Sequence, residues 1–335
     1  MKVLRFCATL GILALSACSG QRDVMQPVQT AAAVDREGRP LQGRPLQNDD
    51  TSATAAHLKM YVANRSTNAV TVYADSASGD VKPLYRVRGG NTRLNVPMSL
   101  TFDGSGLMYV LSATSFAVFG QHARGNATPM FDVGGGLTQI SNPQGLAVDP
   151  TGKVYITNYV SSGTYITAYA AGSNGDRAPV QTIFDDQSFL FIPTGIAVHG
   201  NVLYVADVGD QTINEYSASS NGIVSPIAVI TGLDSPQGLA IDTKGRIYVT
   251  DSDSIVVYAA NANGPATPIR KISGSQTLMN GVAGLTLHNS EIAVANAGND
   301  SITVYPENGN GDIAPLRQII GPTTGLSSPQ GIAVR

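Results

Sequence analysis

From residue 58 onward, short apolar runs rich in Val, Ile, Leu and Tyr alternate with turns of Gly, Asn, Asp and Ser. This patterning predicts many short strands joined by tight turns, in place of long amphipathic helices. The runs also recur as a phrase. Residues 142–158 read NPQGLAVDPTGKVYITN and residues 235–251 read SPQGLAIDTKGRIYVTD. Variants begin at Pro97, Pro143, Pro193, Pro236, Val282 and Pro329, in steps of 46, 50, 43, 46 and 47 residues. That period fits one four-stranded propeller blade per unit.

In each unit the phrase supplies the first strand, and a Gly-containing turn leads to a second of the type YVAN, YITN or YVAD. A third ends in an aromatic residue: Tyr73, Phe119, Tyr169, Tyr216, Tyr258 or Tyr305. The fourth is headed by a proline: Pro83, Pro129, Pro179, Pro226, Pro268 or Pro315. Proline is tolerated at strand starts and sheet edges, so this strand is expected on the outside of the blade. Arg86, Arg88, Arg270, Lys271 and Arg317 in the same segments discourage edge-to-edge pairing. The first unit lacks a first strand, whereas the chain stops at Arg335 directly after one. The predicted fold is therefore an all-β, six-bladed propeller over residues 58–335, with the last strand completing the first blade.

The stretch PQGLAIDTKGRIYVTDSDSIVVY resembles the NHL repeat: Pro-x-Gly-Ile-Ala-Val-Asp, a Gly turn, Tyr-Val-Ala-Asp, then a strand ending in an aromatic. The likeness extends over all six units. It departs from the common form in lacking the basic residue of the third strand and in having longer connections of the type YAANANGPATPIRKISG.

The 36 Gly, 18 Pro and 13% charged residues fit this reading. Ahead of it, Lys2, Arg5 and the apolar residues 6–17 form an export signal, too short to span a bilayer as a helix. It ends in LSAC, similar to the bacterial lipobox, which implies removal of residues 1–17 and acylation of Cys18. Several acyl chains would anchor the protein in the cell envelope. Ser19 resembles the pattern of outer-membrane lipoproteins if the cell is Gram-negative, facing periplasm or surface. Residues 18–57 lack periodicity and duplicate GRPLQ, as expected of a flexible tether. Cys18 would be the only cysteine of the mature chain, which leaves stability to the core.

Beyond residue 50 the balance is mildly acidic and no basic run is interleaved with aromatics, so nucleic acid is not an expected partner. Two rings are expected at one mouth of the channel. Met98, Gln144, Thr194, Gln237, Ala283 and Gln330 follow the phrase's leading residue; Asn64, Ser112, Asn158, Asp207, Asp251 and Asn296 close the second strands. Loops on a rigid frame commonly bind there. Asp207 and Asp251 sit on neighbouring blades between Asn158 and Asn296, and oxygen-rich groups of this kind suit calcium. Asx side chains at strand ends also bond to their own turns. His199 and His288 fall in turns on the opposite face, and the chain holds no nucleophile elbow, Walker loop or zinc spacing.

Two functions follow. One is an anchored binding or scaffold module for a protein, glycan or small ligand. The other is a metal-dependent lactonase or hydrolase like the gluconolactonase and SMP-30 group, with a cation at the channel mouth; that group's site includes a Glu that neither ring supplies.

Overall fold

The computed structural model describes residues 58–160, 163–185 and 190–335. The chain divides into Met1–Ala55 and Ala56–Arg335, and the described residues all belong to the second unit. The leader, Cys18, the tether and His57 lie outside them.

Strands β1 (Lys59–Asn64), β2 (Ala69–Ala74) and β3 (Tyr85–Val87) build the first blade. The second is β4 (Ser99–Phe102), β5 (Met108–Leu111), β6 (Ser115–Phe119) and β7 (Phe131–Gly134). The third is β8 (Pro143–Val148), β9 (Val154–Asn158), β10 (Tyr165–Tyr169) and β11 (Gln181–Asp185). The fourth is β12 (Pro193–His199), β13 (Val202–Asp207), β14 (Thr212–Ser217) and, after a short β15 (Gly222–Val224), β16 (Ala228–Ile230). The fifth is β17 (Pro236–Ile241), β18 (Ile247–Asp251), β19 (Ser254–Tyr258) and β20 (Arg270–Ser273). The sixth is β21 (Val282–His288), β22 (Glu291–Asn296), β23 (Ser301–Pro306) and β24 (Arg317–Ile319). The last strand, β25 (Pro329–Val334), pairs antiparallel with β1 and completes the first blade in the order β25-β1-β2-β3.

The second strands are buried along nearly their whole length because a neighbouring blade covers each face, which is why they read as continuous apolar runs. The core is accordingly a set of six clusters, mostly lying between adjacent blades.

At the axis the innermost strands press together. A Cβ added at Gly145 would lie 2.5 Å from the carbonyl oxygen of Thr194; one at Gly238 would lie 2.6 Å from that of Ala283 and 2.9 Å from the Cα of Gly284. Backbone cannot swing aside as a side chain can. Gly238→Ala is therefore expected to destabilise the protein by about 2–3 kcal/mol, read as a lower urea midpoint at unchanged slope. Gly104→Ala, in open space, should stay within about 0.5 kcal/mol. Threonines bridge the same strands: Thr250 Oγ1 accepts from the Gly238 N–H at 2.8 Å and donates to the Ala283 carbonyl at 2.6 Å. Thr157 does likewise with Gly145 and Thr194.

Two details differ from expectation. The six prolines stand two residues ahead of the outer strands, and it is the residue after each proline that donates the first N–H to the third strand, as Leu84 does to Val72. Proline ends the preceding loop because it has no N–H to give. Also, β15 adds in parallel to β11, so the third sheet has five strands.

β15 belongs to a device present in every blade. The long loop between third and outer strands reaches back to the outer strand of the preceding blade and bridges it through one glycine: Gly79 to Ile319, Gly125 to Val87, Gly175 to Val133, Gly222 to Ile183, Gly264 to Ile230 and Gly311 to Ile272. All six glycines have positive φ, between 56° and 81°. In four loops the preceding Asn side chain accepts a backbone N–H from that outer strand: Asn174 from Asp132, Asn221 from Thr182, Asn263 from Val229 and Asn310 from Lys271, each at 3.0 Å. In four loops the residue after the glycine, Asp80, Asn126, Asp176 or Asp312, accepts a backbone N–H of the turn that follows that outer strand, as Asp80 Oδ1 does from Thr323 at 2.8 Å. Third-strand tyrosines stitch the same seams. Tyr73 donates to the Thr324 carbonyl at 2.7 Å, and burial pushes the Tyr73, Tyr169 and Tyr305 hydroxyls up to about 12. The long connections in the sequence are thus clasps between blades.

Candidate binding face

Innermost strands begin, and second strands end, on one face of the ring. Five of the six innermost strands carry a bulge just after their leading residue: the register shifts between Pro143 and Leu146, Pro193 and Ile196, Pro236 and Leu239, Val282 and Leu285, and opposite Val62 and Asn64. A bulge releases a residue from the ladder and re-aims it. The first expected ring falls within these shifts at every blade but the second, where Met98 precedes a regular strand, and all six residues line a central channel of about 290 Å³ at its mouth.

Around that mouth Gln330, Gln144 and Gln237 occupy blades one, three and five, alternating with Met98, Thr194 and Ala283. The three carboxamides are half-buried. Each rests its Nε2 on the residue two positions earlier: Gln144 on the Asn142 carbonyl at 3.2 Å, Gln237 on Ser235 Oγ and Gln330 on Ser328 Oγ, both at 3.3 Å. Thr194 spends its hydroxyl on the Ala206 and Pro236 carbonyls, at 3.2 and 2.9 Å. The polar groups presented to the channel mouth are thus chiefly three neutral amides in pseudo-threefold array.

The second ring does different work. Asn64, Ser112, Asn158, Asp207, Asp251 and Asn296 are all buried. Each holds the loop that enters its own blade by accepting backbone N–H groups. Asn158 takes the Ser141 N–H at 3.0 Å, Asn64 that of Ser327 at 2.9 Å, Asn296 that of Asn280 at 3.2 Å and Ser112 that of Asn95 at 3.3 Å. Asp251 takes those of Asp234 and Ser235, at 2.9 and 2.6 Å. Asp207 takes four: Phe191 at 2.7 Å, Ile192 at 3.0 Å, Gly209 at 2.8 Å and Asp210 at 3.1 Å. A calcium ion at Asp207 and Asp251 would have to compete with these donors.

On the opposite face the turn carboxylates behave as expected. Asp149 Oδ1 accepts from the Thr151 and Lys153 N–H groups at 2.8 and 3.1 Å. Partial burial raises this carboxyl, but hydrogen bonds from Thr151, Lys153 and Tyr155 outweigh that and hold it below the usual carboxylate range.

One constellation there was not legible in the sequence. His288 Nε2 lies 2.6 Å from Asp75 Oδ1 and 3.4 Å from Glu291 Oε2. Among the described residues these three are the one His/Cys/Asp/Glu group close enough to share a metal ion. Arg317 already binds both Glu291 oxygens, at 2.7 and 2.6 Å, and lies 3.4 Å from Asp75 Oδ1. Those hydrogen bonds hold the Glu291 carboxyl below its ordinary range. The guanidinium thus supplies the positive charge a metal would bring. Asp75 is 213 residues from His288, and only ring closure joins them, so no local spacing could have announced the group.

The NHL repeat model matches residues 233–254, within the fifth blade. Low-density lipoprotein receptor-related protein 5 of Mus musculus is 35% identical over 68 residues, which is 20% of this chain and 4% of that protein. Among solved structures, a protein of unknown function from Bacteroides caccae superposes with a TM-score of 0.62 at 11% identity, covering 83% of this chain and 99% of its own. A chain of a nidogen/laminin complex superposes with a TM-score of 0.57 at 14% identity, covering 83% and 98%. The blade count, the closing strand and the repeat match converge: the chain is an NHL-repeat-like six-bladed β-propeller.

Proposed function

We propose that this protein is an envelope lipoprotein, anchored through Cys18, whose propeller is a binding module acting through its channel-mouth face without chemistry of its own. The observation that carries the reading is the set of three carboxamides, Gln144, Gln237 and Gln330, on alternate blades around the channel mouth. Neutral amides donate and accept at once, which suits peptide groups or the hydroxyls of a glycan. A protein partner is favoured because the similar propellers include a chain from a nidogen/laminin complex. The lipobox and the export signal support the address.

Two measurements test this. Labelled palmitate should enter the wild-type protein and not Cys18→Ser. Cross-linking in detergent-solubilised envelope should recover a partner with the wild type and at least about tenfold less with Gln144, Gln237 and Gln330 all changed to Ala. Equal recovery by the triple variant, at equal folding, would refute the face.

A further inference from the structure

The six repeats serve as controls for one another, and one seam departs from the pattern. In the outer strands, Arg86 corresponds to Asp132, Thr182, Val229, Lys271 and Gln318; Arg88 corresponds to Gly134, Phe184, Thr231, Ser273 and Ile320. Lys82, before the proline, corresponds to Thr128, Ala178, Ser225, Thr267 and Ala314. Arg124 stands where four other clasps carry the Asn that accepts an outer-strand N–H. Five blades fold without this set of charges, so the ring's architecture does not require them.

Lys82, Arg86 and Arg88 lie along the outer-strand segment of the first blade, and Arg124 sits in the second blade's clasp, which closes on that strand. Lys82, Tyr85, Arg86 and Gly125 line one open groove. Arg124 stacks 4.7 Å from the centre of the Tyr85 ring, and Gly125 exchanges backbone hydrogen bonds with Arg86 and Arg88 at 2.6 and 2.8 Å. All four cations are exposed, and among the described residues none has a carboxylate within ion-pair distance. The chain is otherwise acidic. Residues 58–134 hold seven Lys and Arg against four Asp, while residues 135–335 hold eight against fifteen Asp and Glu. Lys82, Arg86 and Arg88 also belong to the blade that the tether enters, at β1.

We infer that Lys82, Arg86, Arg88 and Arg124 dock the first blade onto an anionic lipid surface, laying the propeller against the membrane. Choosing a lipid surface rests on the anchored reading above: the preceding segment enters the basic blade, and headgroup phosphates complement it in charge. Each cation near such a surface is worth about a fivefold gain in partitioning.

The ring closes within Ala56–Arg335, so residues 56–335 can be used without acyl chains, and a missing anchor and a missing patch then fail separately. This protein should sediment with phosphatidylglycerol-containing vesicles, not with pure phosphatidylcholine, and should be released by high salt. Changing Lys82, Arg86, Arg88 and Arg124 to Ala should weaken binding by at least about 30-fold. Changing exposed Arg177, Lys244 and Lys271 to Ala should weaken it less than about threefold. Arg124→Asn restores the clasp residue, and should keep or raise the melting temperature while weakening vesicle binding about fivefold. Equal binding to both vesicle types, no binding at low salt, or equal loss in the control variant would overturn the inference. Binding of polyglutamate without vesicle binding would overturn it too, reassigning the patch to an acidic protein.

Discussion

Removing residues 329–335 should leave the chain largely unfolded. Those residues supply β25, the innermost strand of the first blade, whose backbone pairs with β1 from Met60 to Asn64. Its Ile332 is buried with Met60, Val62, Ala295 and Val304 in the seam between the sixth and first blades. Its Gly331 packs against Ser99 of the next blade, and Gln330 forms part of the channel mouth. Loss of the strand exposes the edge of β1, opens that seam and breaks the ring at the axis. The cost should exceed about 5 kcal/mol, a large part of the roughly 5–15 kcal/mol available to a folded domain. Far-UV circular dichroism against urea reports it. A truncated chain with the wild-type midpoint and slope would refute closure as the source of stability.

The second large effect is expected at Asp207, and the repeats explain why. Three blades close their second strand with Asn: Asn64, Asn158 and Asn296. In each, Nδ2 donates to a third-strand threonine, Thr71 at 2.9 Å, Thr167 at 3.0 Å and Thr303 at 3.0 Å. The two blades that use Asp place Asn214 and Val256 at the register position of those threonines. An amide has hydrogens that need acceptors; a carboxylate has none, and gathers extra N–H donors instead. Asp207→Ala removes the acceptor for four backbone N–H groups at a fully buried position and should cost about 3–5 kcal/mol. Asp207→Asn retains one acceptor oxygen and should cost about 1–2 kcal/mol. Thermal melting with and without calcium separates this role from a metal site. Calcium should leave the wild-type melting temperature unchanged; a calcium-dependent rise lost in Asp207→Asn would reverse the assignment.

Much of the architecture could be read from the chain because a propeller repeats its instructions. Pro236, Gly238, Tyr248 and Tyr258 mark one blade, and their recurrence fixed the count, the strand order and the closing role of residues 329–335. The candidate face was legible only in part. Sequence position put Gln144 and Asp207 in two rings on one face, but burial and bulges decide which ring meets solvent, and neither shows in a pattern of apolar residues. The clasps were hidden for another reason. Asn174, Gly175 and Asp176 look like an ordinary turn, yet each bonds to the blade before it. Arg124 gains its meaning only when aligned against those asparagines.

Five of the six clasps point backward along the chain, all but Gly79 to Ile319, and that direction has a kinetic meaning. A polypeptide emerging from a narrow pore delivers each of the first five sheets before the loop that fastens it, so each of those modules waits for its successor. The first module waits longest, since its missing edge arrives last of all. Locking therefore lags behind delivery, and a chain of this design remains threadable until its final residues are through.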